Sequence, residues 1–152
     1  MRSQTWFWEP VNPAHYDHHG DGCPGTLGTP VLSLTSPWTL PRIGDNLQVT
    51  LTGLPTHVAG LVMGFSDQVF GGAALPNHLD WLGMPGCYLR AAPEASTFLV
   101  GQNHAASLSL TIPNAAGLLG LDFYQQGLPF DAAANTLGIT VTNSMRGTIG
   151  SW

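Results

Sequence analysis

Leu47-Gln48-Val49-Thr50-Leu51-Thr52 is the stretch on which the fold turns. Apolar and polar residues alternate strictly. An extended backbone therefore sends Leu47, Val49 and Leu51 to one side and Gln48, Thr50 and Thr52 to the other. Aliphatic side chains on one face and small polar groups on the opposite face describe a half-buried antiparallel strand. Ser107-Leu108-Ser109-Leu110-Thr111-Ile112 repeats the pattern and stops at Pro113-Asn114. Further runs rich in Val, Ile, Leu, Thr and Phe predict strands over 31–35, 58–65, 87–90, 97–100, 119–125 and 137–142. Gly and Pro punctuate the chain between them, at roughly the 8–12-residue spacing of sandwiches and barrels. About eight such strands predict an all-β fold, a two-sheet antiparallel sandwich of jelly-roll-like form.

The run 58–65 is almost continuously apolar, which predicts a central strand covered on both faces. Gly60 and Gly64 within it are expected to mark bulges or the close approach of another backbone. Asn77-His78-Leu79-Asp80-Trp81-Leu82 follows Pro76 and stops at Gly83, enough for a turn or two of helix. No long segment has helical periodicity, so an α/β enzyme fold with covering helices is not expected. The length of 152 residues suits one domain. Residues 1–20 read as an aromatic and histidine-rich N-terminal arm, and residues 21–152 as the sandwich.

Charge is scarce. Asp, Glu, Lys and Arg make up 9% of the chain, against roughly 25% in ordinary soluble domains. Lysine is absent, and the arginines are Arg2, Arg42, Arg90 and Arg146. A formal charge of −5 with scattered arginines offers no basic stripe to displace counterions, so nucleic acid is not an expected partner. Anionic lipid surfaces are disfavoured for the same reason. No apolar run approaches the roughly 20 residues of a membrane helix, so membrane insertion is not expected. The start Met1-Arg2-Ser3-Gln4-Thr5-Trp6 does not read as a secretory leader, which would run from a charged start into a leucine-rich stretch. The chain is then either cytoplasmic or a mature or excised piece starting at an added methionine; the low charge and the richness in Gly, Pro and Thr favour the second, with an extracellular or cell-surface location.

Cys23 and Cys87 lie in turn-like contexts, Gly22-Cys23-Pro24-Gly25 and Pro85-Gly86-Cys87-Tyr88. A bridge between them would close a loop of roughly 65 residues, worth about 4 kcal/mol by the chain-entropy argument. Two free thiols are the alternative. No Cys-x-x-Cys spacing suggests zinc or redox chemistry.

A series of landmarks extends the reading. Gly22-Cys23-Pro24-Gly25-Thr26-Leu27-Gly28-Thr29-Pro30 is followed by Leu61-Val62-Met63-Gly64-Phe65-Ser66, Gly71-Gly72 and Leu75-Pro76. Leu82-Gly83-Met84-Pro85-Gly86-Cys87, Ile112-Pro113-Asn114, Leu118-Leu119-Gly120 and Tyr124-Gln125-Gln126 complete it. Over roughly residues 20 to 150 the series resembles a little-characterised domain at the C-terminal end of large secreted bacterial proteins. The resemblance implies a β-sandwich with Cys23 and Cys87 bridged, an accessory role and no established activity. The aromatic, histidine-rich arm departs from that pattern.

Several constellations could carry chemistry. His15, Asp17, His19 and Asp21 lie within His15-Tyr16-Asp17-His18-His19-Gly20-Asp21-Gly22. Alternating ligands ending in Asp-Gly resemble a calcium loop, but imidazole suits Zn better than Ca and no glutamate closes the loop. A polar turn with solvated histidines is the plainer reading. Trp6 and Trp8 fall on one face of an extended arm, a platform on which sugar rings could stack; packing on the sandwich or a neighbouring subunit is the alternative. Ser66, Asp67, His78 and Asp80 can be written as a nucleophilic triad, although no Gly-x-Ser-x-Gly elbow supports it and turn capping explains them better. No spacing selects a pair of carboxylates for glycoside hydrolysis, and Asp122 reads as a solvent-face residue.

These observations lead to a non-catalytic extracellular module that binds a polysaccharide, glycan or cell-surface polymer. One alternative is a structural subunit of a filament or layer, assembling with copies of itself, because a lysine-free edge strand lacks a usual guard against edge pairing. The other alternative is a hydrolase.

Overall fold

The computed structural model describes residues 12–152. The chain is an antiparallel β-structure built on two packed sheets. Its strands are β1 (His15–His18), β2 (Val31–Leu34), β3 (Asn46–Thr52), β4 (Val58–Gly64), β5 (Val69–Phe70), β6 (Ala73–Ala74), β7 (Asn77–His78), β8 (Tyr88–Leu89), β9 (Ala95–Val100), β10 (Ala105–Thr111), β11 (Asp122–Pro129) and β12 (Ser144–Thr148). The larger sheet has five strands in the order β1-β12-β11-β4-β9, and the smaller has three in the order β10-β3-β2. Leu47, Val49 and Leu51 of β3 turn inward as their alternation requires and meet Tyr16, Leu61, Leu99 and Phe123 of the larger sheet. Tyr16 is buried with this core, and its hydroxyl donates to Gln125 Oε1 at 2.6 Å. Burial pushes its phenol well above the ordinary tyrosine range.

The sheets are joined covalently between β9 and β10. Gln102 and Ala105 exchange backbone hydrogen bonds of 2.9 and 3.0 Å across Asn103 and His104. Both central residues have left-handed backbones, with φ of 55° and 62°, as the tight turns that match strand twist demand. His57, at φ 62°, supports the turn by accepting the His104 N–H on its Nδ1 at 3.0 Å. On the opposite side, Asn143 acts as a surrogate strand. Its carboxamide accepts from Leu32 N at 2.8 Å and donates to Leu32 O at 3.0 Å, completing the outer edge of β2.

A third layer lies over part of the larger sheet's outer face. Between β4 and β9 the chain makes the two small hairpins β5-β6 and β7-β8. A 3-10 turn, Asp80–Leu82, ends at Gly83 with φ 88°. Beneath lies a second apolar cluster of Cys23, Leu79, Met84, Cys87 and Val141. Cys23 and Cys87 form a disulfide across a sequence separation of 64. Gln126 of β11, fully buried, fastens this layer down. Its Oε1 accepts from Arg90 N at 2.9 Å, and its Nε2 donates to Tyr88 O and Thr142 O, each at 3.0 Å.

Several expected elements differ in detail. The run 137–142 is no strand. Its extended pairing is broken, although Thr140 N and Thr142 N still donate to Pro129 O and Gly127 O. The last strand is β12 instead, which the sequence hides because Gly147 faces inward, where the Phe123 ring fills the space a Cβ would need. Residues 15–18 of the segment read as an arm are β1, paired with β12 at the edge of the larger sheet. The expected helical turn at 77–82 divides into β7 and the 3-10 turn. Gly64 does mark a close approach, since a Cβ there would meet the Ala92 carbonyl; the nearest atom to a Cβ at Gly60 is 3.8 Å away.

Two outcomes check this account. Gln126→Ala strands one buried and two part-buried backbone groups and is expected to lower unfolding stability by about 1–3 kcal/mol in denaturant titration, with faster amide exchange at Arg90. Replacing Cys23 and Cys87 together by alanine is expected to cost about 4 kcal/mol in the same titration. An unchanged midpoint in either case contradicts the clamp or the staple.

Candidate functional site

The smaller sheet leaves its outer face open. The alternation that buries Leu47, Val49 and Leu51 presents Asn46, Gln48, Thr50 and Thr52 of β3 outward. Register places Ser107 opposite Thr50 and Ser109 opposite Gln48 on one side, and Ser33 opposite Thr50 on the other. The side chains form a hydrogen-bonded carpet. Thr50 Oγ1 lies 2.9 Å from Thr35 Oγ1 and 3.1 Å from Ser107 Oγ, and the Thr111 hydroxyl donates to Asn46 Oδ1 at 2.9 Å. None of these strand residues is charged.

At one end this face passes into an open groove of about 420 Å³, lined by Ser36, Trp38, Thr39, Asp45, Asn46, Gln48 and Trp152. Trp38 is 70% exposed and Trp152 59% exposed, so both indoles spend apolar surface on solvent. Arg42 links them. Its Nη1 donates to Trp38 O at 3.1 Å, and its guanidinium carbon lies 3.8 Å from the centre of the Trp152 ring. The loop that carries Trp38 is held in turn by Thr39, whose hydroxyl donates to Ser36 O and whose backbone carbonyl accepts from Gln48 N. Two aromatic plates flanking amides and hydroxyls can stack on the C–H faces of a sugar ring while bonding its hydroxyls.

The larger sheet's uncovered outer face carries a second polar group. Arg146 of β12 donates to Asp122 Oδ2 at 2.7 Å, and the Thr148 hydroxyl donates to Asp122 Oδ1 at 2.7 Å. The Thr148 bond first, then Arg146, holds the Asp122 carboxyl below the ordinary carboxylate range. Tyr124, beside them, has its phenol pushed up, by burial foremost and then by the Asp67 charge, with Arg146 opposing. His19 Nε2 bonds Asp67 Oδ2 at 2.8 Å, and its ring lies 5.2 Å from that of Tyr124.

Trp6 and Trp8 lie outside the described residues. Asn12, the first described residue, accepts the Ser151 N–H on its carbonyl, next to Trp152. His15, Asp17, His19 and Asp21 are dispersed: His15 and Asp17 are exposed on β1, Asp21 pairs with His18 at 3.0 Å, and His19 pairs with Asp67. Among the described residues no three His, Cys, Asp or Glu side chains gather as a metal site would need. The Ser66 hydroxyl accepts from the backbone N–H of Gln68 and Val69, which is turn capping. Asp80 accepts from Gly86 N, and His78 is paired on β7 opposite Tyr88. Sequence reasoning missed Trp38 and Trp152 because an isolated tryptophan in a loop shows no periodicity; only the fold brings positions 38 and 152 together. No protein-family model matches the chain, and no curated protein or solved structure shows significant similarity to it.

The Asp122 geometry makes a pH prediction. A carboxyl whose folded value is depressed contributes stability at neutral pH and loses it as pH falls through that depressed value. Arg146→Ala should therefore move the Asp122 titration upward, toward the ordinary carboxylate range, in a carbon-detected NMR titration. An Asp122 titration unmoved by the substitution contradicts the assignment of the pair.

Proposed function

We propose that this domain is a non-catalytic module that holds a polysaccharide or similar uncharged surface polymer at the Trp38–Trp152 groove. The observation that carries the reading is the groove itself, in which two exposed indoles flank Ser36, Asn46 and Gln48 and continue into a hydroxyl-covered sheet. A neutral polymer suits this surface, because a charged one would find only Arg42 and Asp45 at the rim. The Arg42 guanidinium lies against the Trp152 ring, and its bond to the Trp38 carbonyl ties down the backbone of the loop that carries the other ring. A binding role also agrees with the engagement of the carboxylates. Asp67, Asp80, Asp122, Asp131 and Glu94 each accept structural hydrogen bonds. The disulfide is compatible with an extracellular setting. No helix among the described residues is long and apolar enough to cross a membrane.

The test is retention on insoluble cellulose, chitin and xylan, together with affinity electrophoresis in soluble β-glucan. The unmodified chain is expected to bind at least one of these. Trp38→Ala and Trp152→Ala should each weaken that binding about tenfold, equivalent to about 1.4 kcal/mol, and the pair should abolish it. Both rings are exposed, so the melting temperature should stay nearly constant. A double variant that binds as well as the parent, or a parent that binds none of these polymers, sinks the reading.

A further inference from the structure

The two edges of the larger sheet are treated differently. β1 carries His15, Asp17 and His18, whose polar side chains discourage another strand from docking. β9 is the opposite edge, and its sequence Ala95-Ser96-Thr97-Phe98-Leu99-Val100 contains no charge, proline or glycine. Its partner among the described strands is β4.

The direction of the backbone groups that do not face β4 follows from the ladder. Gly101 N donates to His57 O at 2.8 Å, and these residues continue the register that places Val58 opposite Val100. Alternation then directs the backbone groups of Leu99, Thr97 and Ala95 toward β4 and those of Ser96, Phe98 and Val100 away from the sheet. The outward-pointing residues also carry the apolar side chains. Phe98 is 62% exposed and Val100 is 70% exposed, and the Phe98 ring leans on Phe130 with centroids 5.7 Å apart. Among the described residues, ladder groups without a strand partner and exposed aromatic surface thus coincide on one short edge.

We propose that β9 pairs antiparallel with β9 of a second copy of this chain, joining the two larger sheets into one. The choice of a second copy rests on self-complementarity. An antiparallel strand pair is two-fold symmetric, and centring it on Phe98 sets Ser96 of each copy opposite Val100 of the other. The same register places Glu94 opposite Gln102 of the partner subunit, so the acidic residue at the end of β9 does not meet its own charge. The aromatic pair Phe98 and Phe130 meets its counterpart across the new contact. β10, the free edge of the smaller sheet, presents Ser107, Ser109 and Thr111 outward and offers no such apolar surface. The contact lies in the larger sheet, whereas the proposed polymer groove belongs to the smaller, so either can fail alone.

The mass of the full chain in solution, by light scattering across a concentration series, tests the inference. A dimer is expected at tens of micromolar. Phe98→Lys and Ser96→Pro should each return it to a monomer with a melting temperature close to that of the monomeric parent. The proline removes only an outward-pointing N–H and leaves the ladder to β4 intact. In the parent, amide exchange at Ser96, Phe98 and Val100 should slow as concentration rises. A parent that stays monomeric, an oligomer that survives both folded substitutions, or exchange at these amides that ignores concentration would overturn the inference.

Discussion

Leu47, Val49 and Leu51 cannot be buried without turning Asn46, Gln48, Thr50 and Thr52 outward, and much of the molecule follows from that constraint. A period of two couples the faces of a strand rigidly, so the residues that build the core also fix the chemistry of the solvent side. β3 lies between β10 and β2 and sets the register of both. Its outer face is a ladder of hydroxyls and amides whose members satisfy one another across strands. The groove between Trp38 and Trp152 grows from the end of this ladder, with Asn46 and Gln48 shared between sheet and groove.

The larger sheet meets a different demand. β11 is buried on both faces near its middle, and a strand in that position needs cover that a two-layer sandwich does not provide. The excursion between β4 and β9 supplies it. A small apolar cluster, polar anchoring by Gln126 and the Cys23–Cys87 bridge together hold the layer. Asn143 plays a comparable role at β2, where a carboxamide stands in for a peptide of the missing neighbour. With so few charged residues available, side-chain amides perform much of the joining.

What was legible in the sequence divides along the same physical line. Strands whose alternation is local, such as 47–52 and 107–112, could be read directly, as could the all-β class. β12 was hidden because Gly147 is an inward position emptied to admit the Phe123 ring, a fact of packing between distant residues. The run 137–142 carried strand composition, but its neighbours are Cys23 and the far end of β11, and their geometry interrupts the ladder. The turn-like contexts of the two cysteines favour a bridge, with free thiols as the alternative, and the resemblance implies the same pair. The candidate groove was not legible. Trp38 and Trp152 are separated by most of the chain, whereas Trp6, Trp8 and the histidines stand close together in sequence and so read as sites; the fold sends His18 and His19 to separate partners.

The bond from Ser151 N to Asn12 O places the two ends of the described chain side by side. Tension applied to those ends would load the β1–β12 ladder one hydrogen bond at a time, as in opening a zipper, a geometry of low mechanical resistance. The disulfide then changes the outcome. Once the chain has peeled back to Cys23, the covalent link passes the load to Cys87 and shields the loop between them. With a separation of 64 residues, roughly 210–230 Å of extended chain stays out of reach of the pull. The molecule would yield early under force but lengthen by little more than half of its contour.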